Sequence, residues 1–290
     1  KQFIQSMQQL GFPYHQTTAH PCCSGIHSGV AIFSQHPIQH SEQHTFELAI
    51  NIDRICNKSA LYAHIVKDNT PIHIIATHLQ SQYHPQSSDI EVTQAQLVEL
   101  DHFIVQCQIP SHETCFIVGD MNIHKHHTTA YPFMLRTLQC TDLTGQRLLI
   151  THGAPNNSFT SSNGQGEQLD YILLRSGALA NHHTVVITPK RESQLDYSDH
   201  YALSCCSLIA QTVAKQLHSL SATAREQDIR AINSQLQLQF ARLLQAWNRS
   251  TEQTIHQAKH LAQQAEQEYQ AGKIRTLAQY RAMIDQITLP

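Results

Sequence analysis

Apolar positions recur at two different periods along this chain, and the switch between them divides it. Phe3, Ile4, Met7 and Leu10 fall at helical spacing and Gly11 closes the pattern, which predicts a helix over residues 1–10. From there to residue 208, short β-type runs dominate. Gly29–Ser34 reads as a strand ended by Pro37, and Phe46–Ile52 alternates as the next one. Leu61–Val66 and Ile72–Ala76 flank the turn dipeptide Asp68-Asn69 and predict a hairpin. A stripe of Ile90, Ala95, Leu97, Leu100, Phe103 and Ile104 predicts a helix from Ser88 to Gln106. Further strands are expected at Cys115–Val118, Leu169–Leu174, Thr184–Ile187 and Tyr201–Leu208, with a helix over Tyr131–Leu138 and a polar, Gly-containing loop over 151–166. Strands joined mostly by hairpins, with at least two long helices between them, predict an α+β arrangement with helices outside a mixed sheet.

After about residue 209 the pattern becomes helical. There is no glycine between Gly177 and Gly272, and 223–270 is rich in Ala, Gln, Leu, Glu and Arg, all good helix formers. Ile229, Ile232, Leu236, Phe240, Leu243, Leu244 and Trp247 mark one face. Gly272 interrupts it, and a second helix is expected over Ile274–Ile287. Residues 209–290 therefore read as an all-helical hairpin or coiled-coil extension, suited to packing, a protein partner or oligomerisation rather than chemistry.

Composition narrows the function classes. Hydrophobic residues make up 41%, enough for a core. A formal charge of −3 and the lack of a basic stripe speak against nucleic acid as a partner. The 22 histidines are numerous for a chain with only 14% charged residues. Eight cysteines include the adjacent pairs Cys22-Cys23 and Cys205-Cys206, but no CxxC spacing of the usual zinc kind. Cys107, Cys115 and Cys205 lie in apolar segments, as buried thiols do. No apolar run is long enough to span a membrane, and no signal-peptide pattern is seen.

Four stretches share one design, an apolar β-type run that ends or begins in polar residues of catalytic type. They are Ile74-Ile75-Ala76-Thr77-His78-Leu79-Gln80, Phe116-Ile117-Val118-Gly119-Asp120-Met121-Asn122, Gln168-Leu169-Asp170-Tyr171-Ile172-Leu173 and Tyr197-Ser198-Asp199-His200-Tyr201-Ala202-Leu203. Side chains at strand ends gather on one rim of a sheet, where loops form pockets. Asp120 and Asn122, two apart after a buried strand, point the same way if the chain stays extended, an anionic ligand beside an amide that suits phosphate and a hard metal ion. Taken alone, Gly-Asp-Met-Asn reads rather as a turn, His78 in a chain of 22 histidines rather as structural, and Asp199-His200 as a weak signal. Asp170 inside an apolar run needs a partner.

Together, and in this order, the four stretches resemble the endonuclease/exonuclease/phosphatase superfamily. Thr-His-Leu-Gln, Gly-Asp-Met-Asn, Glu-Gln-Leu-Asp-Tyr-Ile-Leu and Ser-Asp-His-Tyr-Ala look most like the neutral sphingomyelinases. Ser28–Ser34 with Pro37-Ile38, and Lys58–Ala63 (although the family usually has glycine after that lysine), extend the likeness over residues 1–208. The resemblance implies a DNase I-like fold, a two-sheet β-sandwich flanked by helices, and a metal-dependent phosphodiesterase converting sphingomyelin to ceramide and phosphocholine. It implies His200 as the base activating water, Asp170 as its orienting carboxylate, and His78 as the stabiliser of phosphoryl charge. Asp120 and Asn122 would contact the phosphoryl group, Asn122 and His78 would bind substrate, and Asp199 and Asp120 would serve Mg²⁺ or another divalent cation. The partner implied is a phospholipid at a membrane surface, and the location secreted or membrane-peripheral. The stretch Ala178–Leu195, where the family tends to carry a membrane-inserting hairpin with exposed aromatics, has no Trp or Phe. The resemblance also implies two strands ahead of the 1–10 helix, one carrying an asparagine and one ending in the chief metal-binding glutamate. The first glutamate here is Glu42, so residues 1–208 read as an N-terminally truncated domain with a weakened cation site, unless residues ahead of Lys1 supply it. A nuclease, a phosphoinositide phosphatase, and an inactive interaction protein built on a degenerate catalytic domain are the alternatives.

Overall fold

The computed structural model describes residues 2–18, 28–50, 53, 58–82, 89–160, 165–190 and 195–209. The elements are α1 (Gln2–Gln9), β1 (Tyr14–Thr17), β2 (Ala31–Ser34), β3 (Ile38–Thr45), β4 (Ser59–Lys67), β5 (Thr70–His78), α2 (Asp89–Gln106), β6 (Thr114–Asp120), α3 (Ala130–Thr137), β7 (Thr141–Asp142), β8 (Asp170–Ser176), β9 (Leu179–Ile187) and β10 (Ala202–Ile209). The helical extension expected over 209–290 lies, beyond its first residue, outside the described residues.

A six-stranded sheet in the order β3-β4-β5-β6-β8-β7 forms the frame. Its strands pair antiparallel except β5 and β6, which run parallel and are joined by the α2 crossover. Asp68 and Asn69 both take positive φ, 50° and 59°, at the β4–β5 turn, which is the backbone a two-residue hairpin needs. Both faces of this sheet are covered, so its central strands are nearly continuous apolar runs. Ala60 and Tyr62 of β4, Ile75 of β5 and Ile117 of β6 pack with Leu97, Leu100, Phe103 and Ile104 of α2 and with Met134 of α3. The alternate residues Leu61, Ala63, Ile65 and Ala76 pack with Ile32 of β2 on the other face. The second sheet layer consists, among the described residues, of two antiparallel pairs, β1–β2 against β4 and β9–β10 against β8. This is the expected α+β, helix-flanked two-sheet architecture.

Two expectations fail for physical reasons. The strand read over Phe46–Ile52 does not form over its described residues 46–50, while 51 and 52 lie outside the described residues: β3 runs over Ile38–Thr45 instead. β3 is a polar edge strand, paired among the described residues with β4 alone, and its β structure comes from backbone pairing rather than apolar alternation. The amides of Glu47 and Ile50 donate to the Glu99 and Gln80 side chains, and the Leu48 carbonyl accepts from Gln96, so 47–50 is held by side chains, not by a ladder. Among the described residues only α2, with 18 residues, is a long helix; α3 has 8 residues. Among the described cysteines, Cys115 is buried and Cys107 and Cys205 are partly so, all without disulfides.

Candidate active site

Topology puts three of the motif side chains in one row. β5 and β6 are parallel, so both end at the same edge of the sheet, and β8 is antiparallel to β6, so it begins there. The register pairs His78 with Asp120 and Asp120 with Asp170. Directly paired residues face the same side. The close approach of β5 and β6 depends on Gly119, at φ +137°, where an added Cβ would meet the Thr77 carbonyl oxygen at 1.9 Å.

His200 reaches this row from a separate segment. Its Nδ1 lies 2.8 Å from Asp170 Oδ2, its Nε2 3.9 Å from Asp120 Oδ2, and His78 Nε2 is 3.5 Å from the same Asp120 oxygen. Asp170 thus faces one nitrogen of His200 and leaves Nε2 turned toward Asp120. Asp120 Oδ1 accepts from the Asn122 amide N–H at 2.8 Å, and Asn122 Nδ2 donates to the Leu79 carbonyl at 2.9 Å. Asn122 takes a left-handed φ of 51°, a conformation asparagine tolerates. Tyr171 secures this loop by donating its hydroxyl to the Ile123 and Gln168 carbonyls. Gln80 is fully buried and ties α2 to the 47–50 segment, a structural task. Asp199 is exposed and accepts from Ser198 Oγ at 3.1 Å. The structure therefore brings His78, Asp120, Asn122, Asp170 and His200 together, with Asp199 beside His200 on the outer side.

The charges are unevenly settled. Burial, with the Asp170 charge next, pushes the Asp120 carboxyl upward despite the opposing pull of His200. For His200, burial disfavours the imidazolium, but the Asp170 hydrogen bond and the charges of Asp170, Asp120 and Asp199 outweigh it and raise the group to about 9. His78 moves the other way, to about 4, through burial and the Lys58 ammonium. The ligating atoms of Asp120, Asp170 and His200 lie within 4.8 Å of one another, as do those of His152, Asp199 and His200. Asp120 and Asp199 thus fall in two groups that share His200. A buried carboxylate held toward its acid form by a neighbouring carboxylate is a donor set that a hard divalent cation would relieve.

Sequence reasoning missed three contributors. Asp53 and Lys58 form a buried ion pair at 3.4 Å, and Asp53 Oδ2 accepts from the Ser81 amide at 2.7 Å; only the lysine stood in a recognisable motif. His152 forms a backbone bridge with His200, and its ring centroid lies 4.7 Å from that of His200. Thr151 bonds the backbones of both the Asp170 and His200 segments. Both residues lie in a stretch that reads as loop, and no local pattern marks them.

The model of the Endonuclease/Exonuclease/phosphatase family matches residues 4–200. The chain belongs to this family. Among curated relatives, a Staphylococcus aureus phospholipase C is 30% identical over 197 residues, covering 62% of this chain and 59% of that protein. A Listeria ivanovii sphingomyelinase C is 31% identical over 194 residues, covering 60% and 57%. The chain thus spans less than two thirds of the length of these relatives. Staphylococcus aureus beta toxin superposes with a TM-score of 0.60 at 27% identity, over 68% of this chain and 79% of that one. A second beta toxin structure, which has bound magnesium ions, gives 0.58 at 26% identity over 68% and 78%. Among the described residues no helix is long and apolar enough to cross a membrane.

Proposed function

We propose that residues 1–208 are the catalytic part of a metal-dependent phosphodiesterase that hydrolyses sphingomyelin to ceramide and phosphocholine at a membrane surface. The observation that carries this reading is the Asp170–His200 contact of 2.8 Å, set beside Asp120 and Asn122 on one sheet edge. The sphingomyelinase C relatives support the substrate class.

On this reading His200 Nε2 takes a proton from water as its oxygen attacks phosphorus, the bond from phosphorus to the ceramide oxygen breaks, the leaving oxygen takes a proton from solvent to depart as the alcohol, and His200 then returns its proton to solvent. Asp170 holds the other ring nitrogen and stabilises the imidazolium that forms. His78 is neutral at physiological pH, and its N–H donates to a phosphoryl oxygen as charge builds there. Asn122 spends one amide proton on Leu79, which leaves its other proton and Oδ1 for substrate. Asp120 and Asp199 would hold Mg²⁺ or a similar ion, directly or through its waters. When bound, that ion supplies Lewis-acid polarisation of the phosphoryl oxygen and offsets the carboxylate charge that keeps His200 protonated.

The test is phosphocholine release from sphingomyelin vesicles by the full-length protein with and without Mg²⁺. Release should require the ion, stop with a chelator, and be abolished by His200→Ala. A metal-loaded, folded protein that releases none would overturn the reading.

A further inference from the structure

The Asp170–His200 contact joins two segments thirty positions apart, and neither side chain explains why the segments sit at that separation. On the β7 side of β8 the backbone ladder is short. Thr141 and Asp142 pair with Leu174 and Leu173, the Leu143 amide donates to the Ile172 carbonyl, and the strand pairing ends before Asp170 is reached. A single hydroxyl takes over from there. Thr151 Oγ1 accepts from the Leu169 amide at 3.1 Å and from the Asp170 amide at 3.2 Å. The Thr151 carbonyl accepts from the Tyr201 amide at 2.6 Å, one residue past His200, and its own amide donates to the Glu167 carbonyl at 2.8 Å. The next residue, His152, forms the backbone bridge with His200 itself. Thr151 is fully buried, so water does not replace these bonds.

We propose that Thr151 is the positioning residue of the site, the spacer whose hydroxyl grips the Asp170 backbone and whose carbonyl grips the His200 segment, so that base and orienting carboxylate meet at hydrogen-bonding distance. It touches neither substrate nor the reacting atoms. Threonine suits the task because its hydroxyl oxygen has two lone pairs for two amides, and its branched Cβ fixes the rotamer that aims them. Valine keeps the shape and loses the acceptor, which leaves two buried amides unpaired. Serine keeps the acceptor.

The test compares Thr151→Val and Thr151→Ser with the native protein, by two readouts. The first is the low-field NMR proton of His200 Nδ1–H in its bond to Asp170, identified by its loss in His200→Gln. It should disappear in Thr151→Val and persist in Thr151→Ser. The second, which rests on the hydrolase reading, is turnover of sphingomyelin: Thr151→Val should lower kcat at least tenfold with KM within twofold, and Thr151→Ser should restore most of it. Should Thr151→Val fail to fold, Thr151→Cys, with a weak sulfur acceptor in place of oxygen, is expected to weaken both readouts while remaining folded. A folded Thr151→Val that is less stable yet keeps both the low-field proton and its kcat would overturn the proposal and leave Thr151 a purely structural residue. If the native protein shows no turnover while the NMR signal behaves as stated, the positioning role stands and the hydrolase reading falls.

Discussion

Asp170→Asn offers a measurement of how strongly the site holds its base protonated. The amide keeps the size of the side chain and can still accept from His200 Nδ1–H, so the change removes charge and little geometry. In the native fold His200 is raised to about 9 against an ordinary imidazole near 6.5. That difference corresponds to about 3 kcal/mol of preference for the imidazolium in the folded state. His200 is 27% exposed at its side chain, so solvent screens this only in part. A group whose folded-state value is raised contributes stability that is fully present below the unfolded value and is lost as pH rises through the folded one. Asp170 supplies that preference together with Asp120 and Asp199, whose charges remain in Asp170→Asn, so the native margin over the variant should be largest near pH 6, on the order of 1–3 kcal/mol, smaller near pH 8, and nearly gone near pH 10. At about 2–4 °C per kcal/mol, Tm should differ by about 2–12 °C at the acid end. Thermal unfolding of the metal-free protein followed by circular dichroism across that range is the assay. A Tm difference that stays flat with pH, or grows toward alkaline pH, would refute the electrostatic account of the pair.

Other outcomes follow from single contacts. Gly119→Ala drives a methyl into the Thr77 carbonyl at a positive φ and should cost about 3 kcal/mol or more, read as a large fall in Tm or as insoluble protein. Lys125→Met removes the ammonium that pairs with buried Asp142 at 2.7 Å and should cost about 3–5 kcal/mol by denaturant titration; a loss under about 1 kcal/mol would mean that the Thr144 and Tyr131 bonds satisfy that carboxylate alone. Because His78 is held to about 4 by burial and Lys58, its NMR signals should not titrate between pH 5 and 8, and His78→Gln, which keeps an N–H donor, should retain more turnover than His78→Leu. A His78 titration midpoint between 6 and 7 would contradict that assignment.

What the sequence determined by itself was the set of buried strands and the side chains at their ends. In β4, β5, β6 and β8 the sheet is covered on both sides, so burial dictates nearly every residue, and those runs are visible without coordinates. His78, Asp120 and Asp170 announce themselves because each lies at the end of such a run. Polar edge strands carry no such signal: β1 and β3 exist because a neighbouring backbone pairs with them, and the alternation that begins at Phe46 imitated a strand where side-chain hydrogen bonds hold 47–50 as a loop. Tertiary structure alone decided the rest of the site. The parallel β5–β6 pairing and the reversal at β8 set three side chains in register, an outcome of chain crossing that no local window contains. The Asp170–His200 distance, the Asp53–Lys58 pair near His78 and the grip of Thr151 on two segments are likewise contacts between remote parts of the chain. Hydrogen bonds and ion pairs act over a few ångströms in space, and separation along the chain leaves no periodic trace of them.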